Sequence, residues 1–116
     1  MSTLHTLLTG LAARPGVLGA LVLSDDGLPV AQAGNDDIAD ELAAVGSTAL
    51  RQLVQLGRST RQGALRLGVV EYAEGRVIIH PVGSAASLLL LVRRDVNVGT
   101  LLFELPAEAE ALAALL

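Results

Sequence analysis

The chain has no cysteine, no tryptophan and no lysine, and among its 116 residues there is one Phe and one Tyr. Without cysteine there are no disulfides, no thiol nucleophile, and no Cys-ligated zinc or iron–sulfur site. Without lysine there is no Walker-type phosphate loop and no Schiff-base chemistry, since both need an amine. Two aromatics, Tyr72 and Phe103, give little surface on which bases stack. All eight cations are Arg, against twelve carboxylates, for a net charge of −4. A surface of that sign has no general attraction for phosphate backbones, so nucleic acid is not expected as a partner. No apolar run approaches the roughly 18 residues of a membrane span. The first basic residue is Arg14, too late for the n-region of a signal peptide. A soluble cytoplasmic chain with no membrane insertion is the expectation.

What is present is aliphatic. Hydrophobic residues make up 52% of the chain, mostly Leu, Val and Ala, enough for one domain over 1–116 with a real core. Residues 2–13 carry apolar side chains at 4, 7, 8, 11 and 12, one helical face, with Ser2 or Thr3 to cap it and Arg14-Pro15-Gly16 to end it. Residues 17–23 read as a strand, Asp25-Asp26-Gly27 as a tight turn, and 28–33 as a returning strand. Asn35, Asp36 and Asp37 offer N-caps for a long helix over 37–57, closed by Gly57. Three strands follow at 63–72, 76–82 and 87–93, and a last helix opens at Asp95 or Asn97. Pro106 predicts a kink or break in it near residue 105, which leaves the docking of 107–116 open.

Helix, two strands, helix, three strands, helix, joined by short hairpins, gives a five-stranded antiparallel sheet and an α+β class. Residues 17–23 and 88–92 are apolar on both sides, as strands covered above and below must be. Residues 64–70 are mixed, with Leu65, Leu67 and Val69 on one side, which suits an edge in need of protection or a partner.

The long helix has two apolar stripes. Ile38, Leu42, Val45, Ala49, Leu53 and Leu56 lie within an arc of about 80° and suffice to pack it on the sheet. Ala39, Ala43, Gly46, Leu50 and Val54 form a second stripe. Left in water, that stripe invites aggregation. It packs either on a neighbouring element of the same chain or on the same stripe of a second copy. A homodimer joined by this stripe and by the edge residues Leu65, Leu67 and Val69 is the expectation.

No catalytic constellation emerges. Asp25-Asp26 and Asp36-Asp37 lack the spacing of a calcium loop, and turn and cap roles account for them. His5 sits at a polar helical angle and His80 in a strand, with no third ligand for zinc. The serines lack a G-x-S-x-G elbow, and no G-x-G-x-x-G opens a helix after a strand. Arg58, Arg61 and Arg66 could receive an acidic partner or a phosphate; for Arg58 a solvated helix end is the simpler reading. No enzyme, metal or cofactor is expected.

PGVLGALVLSDDGLPVAQAG at 15–34 resembles the first hairpin of the roadblock/dynein light chain family: a Gly-Val-x-Gly-Ala strand, an Asp-Gly turn and a return strand opening Leu-Pro. The resemblance continues through residues 63–83 and LLLLVRRDVNVGTLLFEL at 88–105, and so covers nearly the whole chain. It is strongest toward prokaryotic stand-alone domains of the gliding-motility kind, which work with Ras-like GTPases. The resemblance implies a profilin-like sandwich with one helix on one sheet face and two on the other. It implies dimers joined through the second helix and third strand into a ten-stranded sheet, and paired second helices that hold or regulate a small GTPase. By position, the partner-facing residues would be Asp40, Ala44, Ser47, Arg51, Gln55 and Arg58. Arg51 and Arg58 are then the available arginine fingers, though the partner's own switch loops can supply the chemistry. The alternative is a light-chain-like dimerisation module that affects no nucleotide turnover.

Overall fold

The computed structural model describes residues 3–34 and 39–116, with the side chain of Ala39 also left undescribed. Its elements run α1 (Leu4–Ala12), β1 (Val17–Ser24), β2 (Pro29–Gly34), α2 (Ala39–Ser59), β3 (Gly68–Tyr72), β4 (Gly75–Val82), β5 (Ala86–Arg93) and α3 (Gly99–Ala113). The five strands form one sheet in the order β2-β1-β5-β4-β3, and every pairing is antiparallel. β1 and β5 are therefore interior strands, as their two-sided apolar runs require, while β2 and β3 are the free edges.

Alternation along the strands divides the core. Ala20, Val22, Ile78, Leu88 and Leu90 face α1 and α3, where Leu8, Leu11, Leu105 and Leu112 complete the larger cluster. Leu21, Leu23, Ile79 and Leu89 face α2 and meet Ala43 and Leu50. Residue spacing of two on a strand puts successive side chains on opposite faces, so one chain run feeds both layers.

Local chemistry fixes the element ends. Thr3 caps α1 by accepting from the Thr6 N–H at 3.1 Å. In the first hairpin the Gly27 N–H donates to the Ser24 carbonyl at 3.0 Å, Ser24 Oγ donates to the Asp26 carboxylate, and Gly27 takes a φ of 85°. Asp25 and Asp26 stay exposed, in the turn role their positions suggest. At the start of α3, Asn97 accepts from the Gly99 N–H at 2.8 Å. Asn35, Asp36, Asp37 and Ile38, read above as caps and stripe, lie outside the described residues, as does Ser2.

Three expectations need correction. α2 does not close at Gly57 but runs to Ser59, and Arg61 takes the left-handed conformation with φ 59°. Gly57 is needed for contact instead, since a Cβ there would lie 2.7 Å from the Gly63 carbonyl oxygen. The strand expected over 63–72 begins only at Gly68; the stretch before it leaves the β4 ladder and lays Leu65 against the α2-side core. α3 is continuous through Pro106. The proline sits on the exposed side, and Leu101, Leu105, Ala109 and Leu112 remain buried on either side of it, so residues 107–113 dock. Packing of that stripe outweighs the missing backbone donor.

Candidate dimer and partner interface

α2 lies on the sheet by residues at 43, 46, 47, 50 and 54, a spacing of three and four that follows one helical face. Ala43 is fully buried and Leu50 nearly so. Gly46 permits the contact, because a Cβ there would come 2.7 Å from Leu89 Cδ2. Ser47 is 5% exposed and donates to the Ala44 carbonyl at 3.1 Å, with Gly27 of the first turn pressed over it.

The sheet contact of the long helix is therefore carried chiefly by the second stripe. Ala43, Gly46 and Leu50, expected at a dimer interface, pack on the chain's own sheet, and Val54 is half-buried beside them. Small residues let the helix axis approach the sheet closely, and that is the contact their size serves. Of the stripe expected to face the sheet, Leu42 and Leu53 are half-buried against the same core, while Val45 and Leu56, 62% and 59% exposed, and Ala49 are left outward. The excess of apolar surface is real, but it lies one stripe round.

That outward stripe borders β3. Leu53 Cδ1 lies 4.0 Å from where a Cβ of Gly68 would sit; on the helix 49 and 56 lie one turn from 53 and 45 two turns, on the side away from the core. β3 itself is a sheet edge, paired to β4 alone, with Val69 and Tyr72 exposed and Leu67 exposed just before it. Leu65 is half-buried within the chain rather than displayed. One side of the molecule thus joins an apolar helix flank to an unpaired strand.

Of the residues placed toward a partner, Asp40, Ala44, Arg51, Gln55 and Arg58 are exposed and Ser47 is not, so Ser47 leaves the set. The others follow one helical ridge turned away from the sheet, with Thr48 among them. Arg51 donates to Thr48 Oγ1 at 3.4 Å and Gln55 to Ser59 Oγ at 3.1 Å, hydrogen bonds along the ridge itself. Val45 and Leu56 were missed because helical spacing alone does not say which of two adjacent stripes meets the sheet. The glycine at 46 and serine at 47 were the signal, since neither fits an outward hydrophobic contact as well as a tight inward one.

No group of three or more His and carboxylate side chains converges among the described residues. His5 is exposed, and its Nε2 lies 3.5 Å from Thr9 Oγ1 on α1. His80 Nδ1 lies 2.7 Å from the Pro81 carbonyl oxygen, a local contact within β4. No helix among the described residues is long and apolar enough to cross a membrane.

Comparison with known proteins agrees with the fold. A crystal structure of a Roadblock/LC7 domain from Streptomyces avermitilis superposes with a TM-score of 0.88 at 29% identity, covering 97% of each chain. A second Roadblock/LC7 domain structure from that organism gives 0.72 at 31% identity, over 96% of this chain and 99% of that one. Myxococcus xanthus MglB shares the fold at 0.88 and 13% identity, over 96% and 92%. Acanthamoeba castellanii profilin II shares it more distantly, at 0.59 and 19% identity, over 94% and 92%. The curated proteins contain no match. A family model described as Roadblock/LC7 domain matches residues 3–92, from the cap of α1 to the penultimate residue of β5, and the chain belongs to that family.

Proposed function

We propose that two copies of this chain pair through α2 and β3, and that the paired α2 helices hold a Ras-like small GTPase and alter its nucleotide state or position. The observation that carries the reading is the outward flank of Val45, Ala49 and Leu56 beside the free β3 edge. A two-fold contact uses one surface twice, and this surface offers unsatisfied backbone groups and apolar side chains together. Antiparallel pairing of β3 with its twin gives every edge amide a partner and makes a sheet of ten strands.

With that flank covered, the ridge of Asp40, Ala44, Arg51, Gln55 and Arg58 remains on the outer side of the helix pair. It is polar and mixed in charge, suited to a partner that binds and releases. The likeness to MglB, at 13% identity, supports the fold, and the resemblance of the sequence to roadblock domains that work with Ras-like GTPases supports the partner class. The chain acts by positioning the GTPase's own switch loops; an arginine finger from Arg51 or Arg58 is a secondary route.

Hydrolysis and exchange by the small GTPase encoded nearest to this gene, measured with and without the protein, test the reading. A change in either rate, reduced in an Arg51→Ala, Gln55→Ala variant that still dimerises, supports it. A dimer that neither binds the GTPase in either nucleotide state nor alters its turnover is a light-chain-like structural module instead.

A further inference from the structure

The charge of this chain is unevenly distributed. Residues 42–70 hold Arg51, Arg58, Arg61 and Arg66 and not one carboxylate, although the chain as a whole carries a net charge of −4. Outside that stretch three of the four arginines are ion-paired, Arg14 with Glu104 and Glu108, Arg76 with Glu71 and Arg93 with Asp95, and Arg94 donates to the Ala73 carbonyl. Among the described residues none of Arg58, Arg61 and Arg66 has a carboxylate within ion-pairing distance. These three lie at the end of α2 and in the segment that leads to β3.

Arg61 is the second observation. The end of α2 has the hydrogen bonds of a Schellman cap: the Gln62 N–H donates to the Gly57 carbonyl at 2.8 Å, and the Arg61 N–H to the Arg58 carbonyl at 3.1 Å. The residue at its left-handed position is usually glycine, which adopts that conformation without steric cost. Here it is Arg61, the one non-glycine with positive φ among the described residues. A long cation held in a strained conformation where glycine would relax it points to a use for the side chain.

The third is shape. The 63–67 segment separates two clefts of about 420 and 400 Å³. The first has apolar walls from Leu50, Val54, Leu65 and Pro81, with Arg58 and the 95%-buried Ser87 at its polar side. The second, on the α3 face, is lined by Leu67, Leu102 and Pro106 with Arg66 and His80. Among the described residues Asp25, on the first cleft, is the one carboxylate lining either.

We infer that this end of the molecule docks an acidic peptide segment of a partner protein, its carboxylates on Arg58, Arg61 and Arg66 and an apolar side chain seated in a flanking cleft. Guanidinium forks match carboxylates in pairs. Concave clefts with apolar walls favour a peptide over the flat surface of an anionic membrane. The site lies at the helix end and the segment after it, beyond the ridge proposed for a GTPase except at Arg58, and does not depend on that reading.

A displayed library of random peptides, selected on the full chain, tests the inference. The expected winners join Asp or Glu to Leu, Phe or Val, and bind less tightly as salt rises. Their affinity falls roughly tenfold for the Arg61→Gly, Arg66→Gln variant. Arg61→Gly alone keeps or raises the melting temperature, which separates lost binding from lost fold. Winners without acidic enrichment, or equal affinity for the double variant, overturn the inference, as does a lowered melting temperature for Arg61→Gly. So does binding to phosphatidylglycerol vesicles that the double variant loses while no acidic peptide binds. Neither arginine belongs to the proposed GTPase ridge, so the two readings fail separately.

Discussion

A Cβ added to Gly34 would lie 2.6 Å from the Leu18 carbonyl oxygen, on a backbone with φ 96°. Neither the clash nor the conformation can relax without moving β1, because the obstructing atom is main chain. Gly34→Ala therefore costs about 2 kcal/mol or more, read as a lowered urea midpoint with unchanged slope. Gly46 is a different case: its obstacle is Leu89 Cδ2, the far end of a side chain, but in a packed layer. Gly46→Arg forces a buried unpaired charge against the sheet and unfolds the chain rather than dissociating a dimer. Leu50→Ala empties a filled position and costs about 2–4 kcal/mol, with the same change expected for any assembly state. These three residues could be recognised in the sequence as small or apolar. What each one touches depends on residues far away in sequence, and composition does not carry that.

At the scale of elements, the five strands and three helices were legible because each hydrophobic period is strong and each turn has its own chemistry. Asp25-Asp26-Gly27 illustrates this: the turn sits where the glycine and the flanking runs require, and its carboxylates stay in water. The long helix was legible as a helix but not in its orientation. Its apolar arc covers two stripes, and only the sheet decides which is buried. Pro106 was legible as a local disturbance, yet tertiary contacts keep α3 whole. Pro106→Ala restores the backbone donor to the Leu102 carbonyl at an exposed position, and is expected to stabilise the chain by about 1–3 kcal/mol in chemical denaturation. β3 carries a further consequence of the proposed pairing. If its midpoint, Val70, lies on the two-fold axis, Tyr72 stands opposite Gly68 of the partner subunit, and both face α2. The ring then covers the glycine's bare backbone and the half-buried Leu53 above it. Tyr72→Ala should raise the dimer dissociation constant roughly ten- to a hundredfold by sedimentation equilibrium, and leave the folded monomer's circular dichroism intact.

The whole molecule is a sheet covered on both faces and open at its two edges, β2 and β3. A larger and a smaller core lie on its opposite sides, with Leu90 and Leu105 fully buried on the α1–α3 side. Three surfaces are proposed to meet other molecules: the α2 flank with β3, the polar ridge, and the arginine-rich end. The proposed dimer is joined through the first of these. Multi-angle light scattering during size exclusion, on the wild-type chain and on a Val45→Arg, Leu56→Arg variant, tests it most directly. Both positions are exposed in the single chain, so the variant folds, and charge placed there acts on association alone. The wild type should run at twice the 11.9 kDa chain mass and the variant at that mass itself, with unchanged circular dichroism. A wild-type monomer, or a variant that remains a dimer, contradicts that pairing.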